Sequence, residues 1–203
     1  MRVWTVHPLV VWERLKDAGT LSVDPAFHRN GYLPWQYQWL AGQMRERVPG
    51  YRGGLPWFAY CEKPDLRWVR HSRPVNEPQV RIEVELDPDR VLAFPLWAWD
   101  LVYCGQFIAF TKREHDAWHA ALRKAVPDEE DRWPFPEPWQ GELEASWRRL
   151  FDPQLPARGW KFGIFDVTTD REAVFDLLSV DDVRSVKHFV GTFRMPQRRP
   201  TSA

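Results

Sequence analysis

Four apolar residues, Val80, Ile82, Val84 and Leu86, alternate without error with Arg81, Glu83 and Glu85. Side chains on an extended chain point to opposite faces in turn, so this pattern describes a strand packed on one side and polar on the other. It cannot be a helix, and a strand with one apolar face needs a partner layer to cover that face. Asp87-Pro88-Asp89-Arg90 then forms a turn, and Val91 to Phe94 resumes as extended chain.

The beginning of the chain supplies a second strand and a helix. Arg2 to Val6 alternates and is rich in β-branched and aromatic residues, so it is expected to be extended. Pro8 stands where a first helical position belongs. Val10, Val11, Leu15 and Ala18 follow at helical spacing, and Gly19 stops the helix. A second helix is expected over Leu33 to Val48, with Trp35, Trp39, Leu40 and Met44 as its apolar stripe and Pro49-Gly50 as its end. Trp57 to Cys61 reads as a short strand, and Lys63 to Pro78, with three prolines, as an irregular loop.

Further on, Leu96 to Tyr103 is apolar and fits either a buried helix or a strand. Thr111-Lys112-Arg113-Glu114 fits a capping box, opening a helix whose expected face is Ala117, Trp118, Ala121, Leu122 and Ala125. Asp128 to Pro138 is acidic and Pro-rich, which predicts a loop. Another helix is expected over Gln140 to Phe151, strands over Trp160 to Val167 and Glu172 to Leu178, a short turn at Val180 to Val183, and a last strand over Ser185 to Arg194. Early and late strands around a run of helices describe an α+β chain with a mixed or antiparallel sheet and helices packed against it. A single domain over residues 1–195, with a basic polar tail over 196–203, accounts for the length.

Charge narrows the function classes. The 28 Lys and Arg balance 28 Asp and Glu, so the broad basic footprint of a duplex nucleic-acid binder is absent, although a local patch is not excluded. The 13 Trp exceed ordinary usage, and indoles serve cores, aromatic clamps and interfaces alike. Packing is the simplest use for most of them. Cys61 and Cys104 have no metal-type spacing and are expected to be reduced, buried thiols. No apolar run is long enough to span a bilayer, and the beginning of the chain has no leader-like segment, so a cytoplasmic location is expected.

The sequence contains no P-loop, no GxGxxG, no HExxH and no GxSxG. His115 and His119 stand one helical turn apart, a metal-compatible spacing without an evident third ligand, and no metal is expected. Three clusters offer chemistry. Trp4, Thr5, His7 and Trp12 gather at the first strand and helix, where helix amides favour an anion. Trp57, Tyr60, Lys63 and Arg67 set aromatics beside cations, which suits a flat, anionic, nucleotide-like ligand. Glu172 and Asp176 share one face of the late strand by alternation; the simple reading is a solvent face, the sharper one a catalytic Glu172.

The stretches Val3 to His7, Trp12, Gly19, Pro56-Trp57 to Arg67, Val80 to Val84, Val91-Leu92, Phe175 to Leu177 and Asp182-Val183 resemble a bacterial family of domains of unknown function, numbered 3841. That resemblance implies no activity. A strand ending near His, an amphipathic helix, a Gly stop and a late strand bearing Glu also look like the layout of ADP-ribosyltransferase folds, including toxin-like members. That likeness implies NAD as substrate and a protein or nucleic-acid target. It would give His7, beside Thr5, the nicotinamide ribose, Trp57 or Tyr60 the nicotinamide ring, and Glu172 the stabilisation of the transition state. Arg67 would serve the anionic part of the ligand. Arg171 stands where that layout expects Gln. The alternative reading is a noncatalytic, Trp-rich module that binds a protein or small ligand.

Overall fold

The structure, a computed structural model, describes residues 1–24, 35–126, 134–155 and 171–192. Among them lie strands β1 (Arg2–Pro8), β2 (Thr20–Ser22), β3 (Trp57–Tyr60), β4 (Pro78–Glu85), β5 (Leu92–Pro95), β6 (Arg171–Phe175), β7 (Leu177–Ser179) and β8 (Val183–Val190). The helices are α1 (Leu9–Ala18), α2 (Trp35–Arg47), α3 (Leu66–Val69), α4 (Leu96–Tyr103), α5 (Lys112–Ala125) and α6 (Trp139–Trp147). The architecture is α+β. One sheet has the order β5-β6-β3-β1-β4-β8, and β2 pairs with β7 in a small second sheet. The β1–β3, β1–β4, β4–β8 and β2–β7 pairs are all antiparallel.

The chain falls into two compact units, where a single domain over 1–195 is the sequence expectation. One comprises Met1–Leu92 and the chain from Ala173 onward; the other is Ala93–Glu172.

In the first unit the alternation of β4 does what its pattern demands. Val80, Ile82 and Val84 are fully buried, and opposite them on β1 stand His7, Thr5 and Val3. A bulge between Glu83 and Val84 shifts the register with β8. Gly19, at φ 73°, ends α1 by donating its N–H to Leu15 O at 2.8 Å, a left-handed position that suits glycine. The buried residues of α2 are Gln36, Leu40, Ala41, Gln43 and Met44, so Leu40 and Met44 of the expected stripe are buried while its two tryptophans are not. Trp35 and Trp39 are half-buried flanks instead. The stretch expected to be wholly irregular contains α3, because Asp65 caps it by accepting from Arg67 N at 2.8 Å.

In the second unit α4 is a helix, with Ala98 and Val102 fully buried. Thr111 caps α5 as expected: its hydroxyl accepts from Glu114 N at 3.2 Å. The Glu114 carboxylate accepts from Phe110 N at 2.9 Å, one residue before the cap. The buried face of α5 is Trp118 and Leu122 alone; Ala117, Ala121 and Ala125 are exposed. Trp118 stacks on Phe107 at 4.6 Å, and fully buried Trp147 donates to Gln106 O at 2.9 Å. Cys61 is half-buried and Cys104 exposed, so neither thiol is sealed in a core as expected.

The expected strand over Trp160 to Val167, most of the Asp128 to Pro138 loop and the tail from Pro196 lie outside the described residues. Among the described residues, no helix is long and apolar enough to cross a membrane.

Candidate functional site

Antiparallel pairing puts Trp4 opposite Tyr60, and counting along both strands sets His7 opposite Trp57. The two rings meet edge to face, 4.9 Å apart at 87°. Thr5, fully enclosed, donates its single hydroxyl proton to Phe58 O at 3.0 Å. Its oxygen also lies 2.5 Å from Nε2 of His7. With the Thr5 proton already committed, Nε2–H of His7 is the donor in that contact, and Nδ1 keeps its lone pair. Burial, and next the Arg73 guanidinium, push the His7 imidazole down to about 4. It is therefore neutral at physiological pH.

Arg73 is a member of this cluster that motif reading passes over. Nη2 donates to Val6 O at 3.4 Å, while its buried Nε–H has no hydrogen-bond partner among the described residues. A buried guanidinium donor without a partner is a group an anion would satisfy. The only sequence signal for it is its place in a run of basic residues.

The other expected ligand residues separate. Trp57 is buried and donates Nε1–H to Leu21 O at 3.2 Å, so most of its ring is already covered. Tyr60 points to the opposite face of the sheet, where it packs with Val6, Val69, Phe189 and Leu66. Arg67 lies on that side too, on α3, ion-paired to Asp65 at 2.7 Å. Trp4 shares Tyr60's face, and Trp12 lies half-buried on α1 under the Lys16 ammonium.

In the second unit, Glu172 is half-buried at the start of β6. Burial, and next the charge of Asp100, push its carboxyl up to about 7. Asp100, on α4, is itself held above the usual carboxylate range by burial. The Asp100 charge thus adds to burial in disfavouring the ionised form of Glu172. Arg171 fixes the backbone beside Glu172 by donating to Ala93 O at 3.1 Å. Nothing in the sequence marks Asp100, because the partner of Glu172 comes from a helix some seventy residues away in the chain. Beyond Glu172 the strand is not a solvent face: Ala173, Val174 and Phe175 are fully buried. Asp176 is buried as well and accepts from Arg52 N.

The rings of His115 and His119 lie 4.1 Å apart. Burial, and next the charge of His115, push His119 down to about 4. Among the described residues no group of three or more His, Cys, Asp or Glu gathers as a metal site.

The class these elements define is an α+β chain with a largely antiparallel sheet. The chain belongs to the family described as Domain of unknown function (DUF3841), whose model matches residues 2–170. No curated protein and no solved structure matches it. The likeness to ADP-ribosyltransferase folds finds no support in these comparisons, and Glu172 lies just beyond the matched residues.

Proposed function

We propose that the protein is an NAD-consuming transferase that passes ADP-ribose to a protein or nucleic-acid nucleophile, with Glu172 as the catalytic residue. The observation that carries this reading is the Glu172–Asp100 pair, one carboxyl titrating near neutrality beside another. Breaking the glycosidic C1′–N bond leaves its electron pair on nicotinamide and positive charge on the ribose. A carboxylate facing that charge stabilises it. As the acceptor's oxygen or nitrogen bonds to C1′, its proton goes to the Glu172 carboxylate, whose pKa suits a general base at neutral pH. Asp100 keeps that basicity high. In the first unit, taken by itself, the neutral His7 and the Arg73 Nε–H, which has no hydrogen-bond partner among the described residues, are groups able to hold a hydroxyl and an anion.

The experiment is release of nicotinamide from NAD, followed by chromatography. Glu172→Gln should slow it by about 100-fold or more while the fold persists. Asp100→Asn should move the rising limb of the pH–rate profile to lower pH. Unchanged turnover in Glu172→Gln would sink the proposal. The alternative of a Trp-rich binding module calls for exposed indoles. Among the described tryptophans only Trp68 is exposed, at 77%.

A further inference from the structure

Trp68 is the least expected side chain on this surface. In the single turn of α3, Leu66 and Val69 face inward to the cluster of Val6, Phe189 and Tyr60. The two residues between them, Arg67 and Trp68, are thereby turned to solvent, Arg67 with 85% of its side chain exposed. The turn is held in place at several points. Asp65 caps it and also fixes the Arg67 guanidinium, with Nε donating to Oδ2 at 2.8 Å. Thr192, at the end of β8, donates its N–H to Arg70 O at 2.8 Å. The indole is thus presented by ordered backbone.

Cations outnumber acids in the segment that carries it. Between Glu62 and Arg70, the two acids Glu62 and Asp65 stand against Lys63, Arg67 and Arg70. Arg70 and Arg81 make hydrogen bonds to the backbone carbonyls of Leu66 and Pro64, at 3.2 and 2.8 Å, which leaves their charge uncompensated by those contacts. Lys187, opposite Arg81 on β8, adds another exposed cation to the same face of the sheet.

We infer that α3 and its basic surround form a docking surface for a single-stranded nucleic acid, with Trp68 stacking on a base and Lys63, Arg67, Arg70 and Lys187 meeting phosphates. An indole face among guanidinium and ammonium groups matches a base attached to an anionic backbone. A base offers an open face only when it is unstacked, and the neutral net charge argues against a long duplex track. An acidic peptide would answer the charges but leave the indole idle. A bilayer surface would need several apolar side chains projecting together, and here Leu66 and Val69 turn inward.

The test is fluorescence anisotropy of labelled single strands of RNA and DNA, about 12 nucleotides long, titrated with the whole chain. The surface should bind them more tightly than a duplex of the same length. Trp68→Ala should weaken binding by about 5- to 150-fold, with Trp68→Phe in between. Arg67→Glu should weaken it too and lower the slope of log K against log salt by about 0.7 or more. Affinity unmoved by Trp68→Ala, equal affinity for duplex, or binding only to phosphatidylserine vesicles or to polyglutamate would overturn the inference. Binding is read without NAD, so its failure leaves the transferase reading standing, and inactivity of Glu172→Gln leaves the docking surface standing.

Discussion

Nε2 of His7 lies 2.5 Å from the Thr5 hydroxyl oxygen, and that hydroxyl is already committed to Phe58 O. The two contacts together choose the imidazole's tautomer, while burial, and next the Arg73 guanidinium, keep it neutral. Nitrogen-detected NMR of the ring should show Nε2 protonated, with no titration until pH falls to about 4. The folded pKa lies below that of the unfolded chain, so stability should fall as pH drops from about 6.5 towards 4. Thr5→Val should release the ring from this tautomer and cost about 1 kcal/mol in urea unfolding.

Glu172 gives the opposite sign. Its folded carboxyl titrates at about 7, above the 4.5 usual for glutamate. The fold therefore favours the protonated form. The stability it contributes is complete below about 4.5 and is lost as pH rises through 7. Glu172→Gln should raise the melting temperature at pH 8 relative to the parent chain and leave it nearly unchanged at pH 4. A variant less stable than its parent at pH 8 would contradict the burial of this carboxyl.

Asp176 accepts from Arg52 N, and a Cβ placed on Gly54 would lie 2.7 Å from Asp176 O. The loop before β3 therefore rests directly on the break between β6 and β7. Gly54→Ala should cost roughly 1–3 kcal/mol by forcing that approach apart. Asp176→Ala should cost a comparable amount by leaving Arg52 N–H without its acceptor. Denaturant midpoints of the two variants and of their combination should show the pair to be non-additive.

Arg149 ties the start of α5 to the chain after α6. Nη1 donates to Glu114 Oε1 at 2.6 Å and to Ile108 O at 2.8 Å, while the guanidinium lies over Phe107 and Phe110. Arg149→Met should cost roughly 1–3 kcal/mol, since it strands both acceptors. Arg149→Lys should recover only part of this, because an ammonium cannot make the same planar contacts. Thermal melts of the three forms provide the measurement.

Local patterns made much of the fold legible. The β4 alternation, the Pro8 and Gly19 boundaries of α1 and the Thr111 cap each depend on neighbours within one strand or one helical turn. Faces were harder to read. On α2 and α5 the centres of the expected stripes, Leu40 and Met44, Trp118 and Leu122, are buried, but their flanks are not, because what covers a helix decides how wide its buried side is. The short α3 carries no sequence signal among prolines and charges, since a single turn has no periodicity. In the site, Thr5 and His7 are readable as a pair because alternation puts them on one face of a strand, whereas Trp57 joins them only through the β1–β3 pairing. Tyr60 and Arg67 part from them because side chains on a strand change face at every residue.

The sequence by itself determined the α+β class, the half-buried strand at β4 and the residue types able to do chemistry, all consequences of backbone geometry and short-range spacing. Only the tertiary structure decided that the Asp100 charge acts on Glu172, that the Arg73 charge acts on His7 and that Trp68 alone among the described indoles is exposed. Burial and charge proximity set these properties, and both depend on residues far apart in the chain.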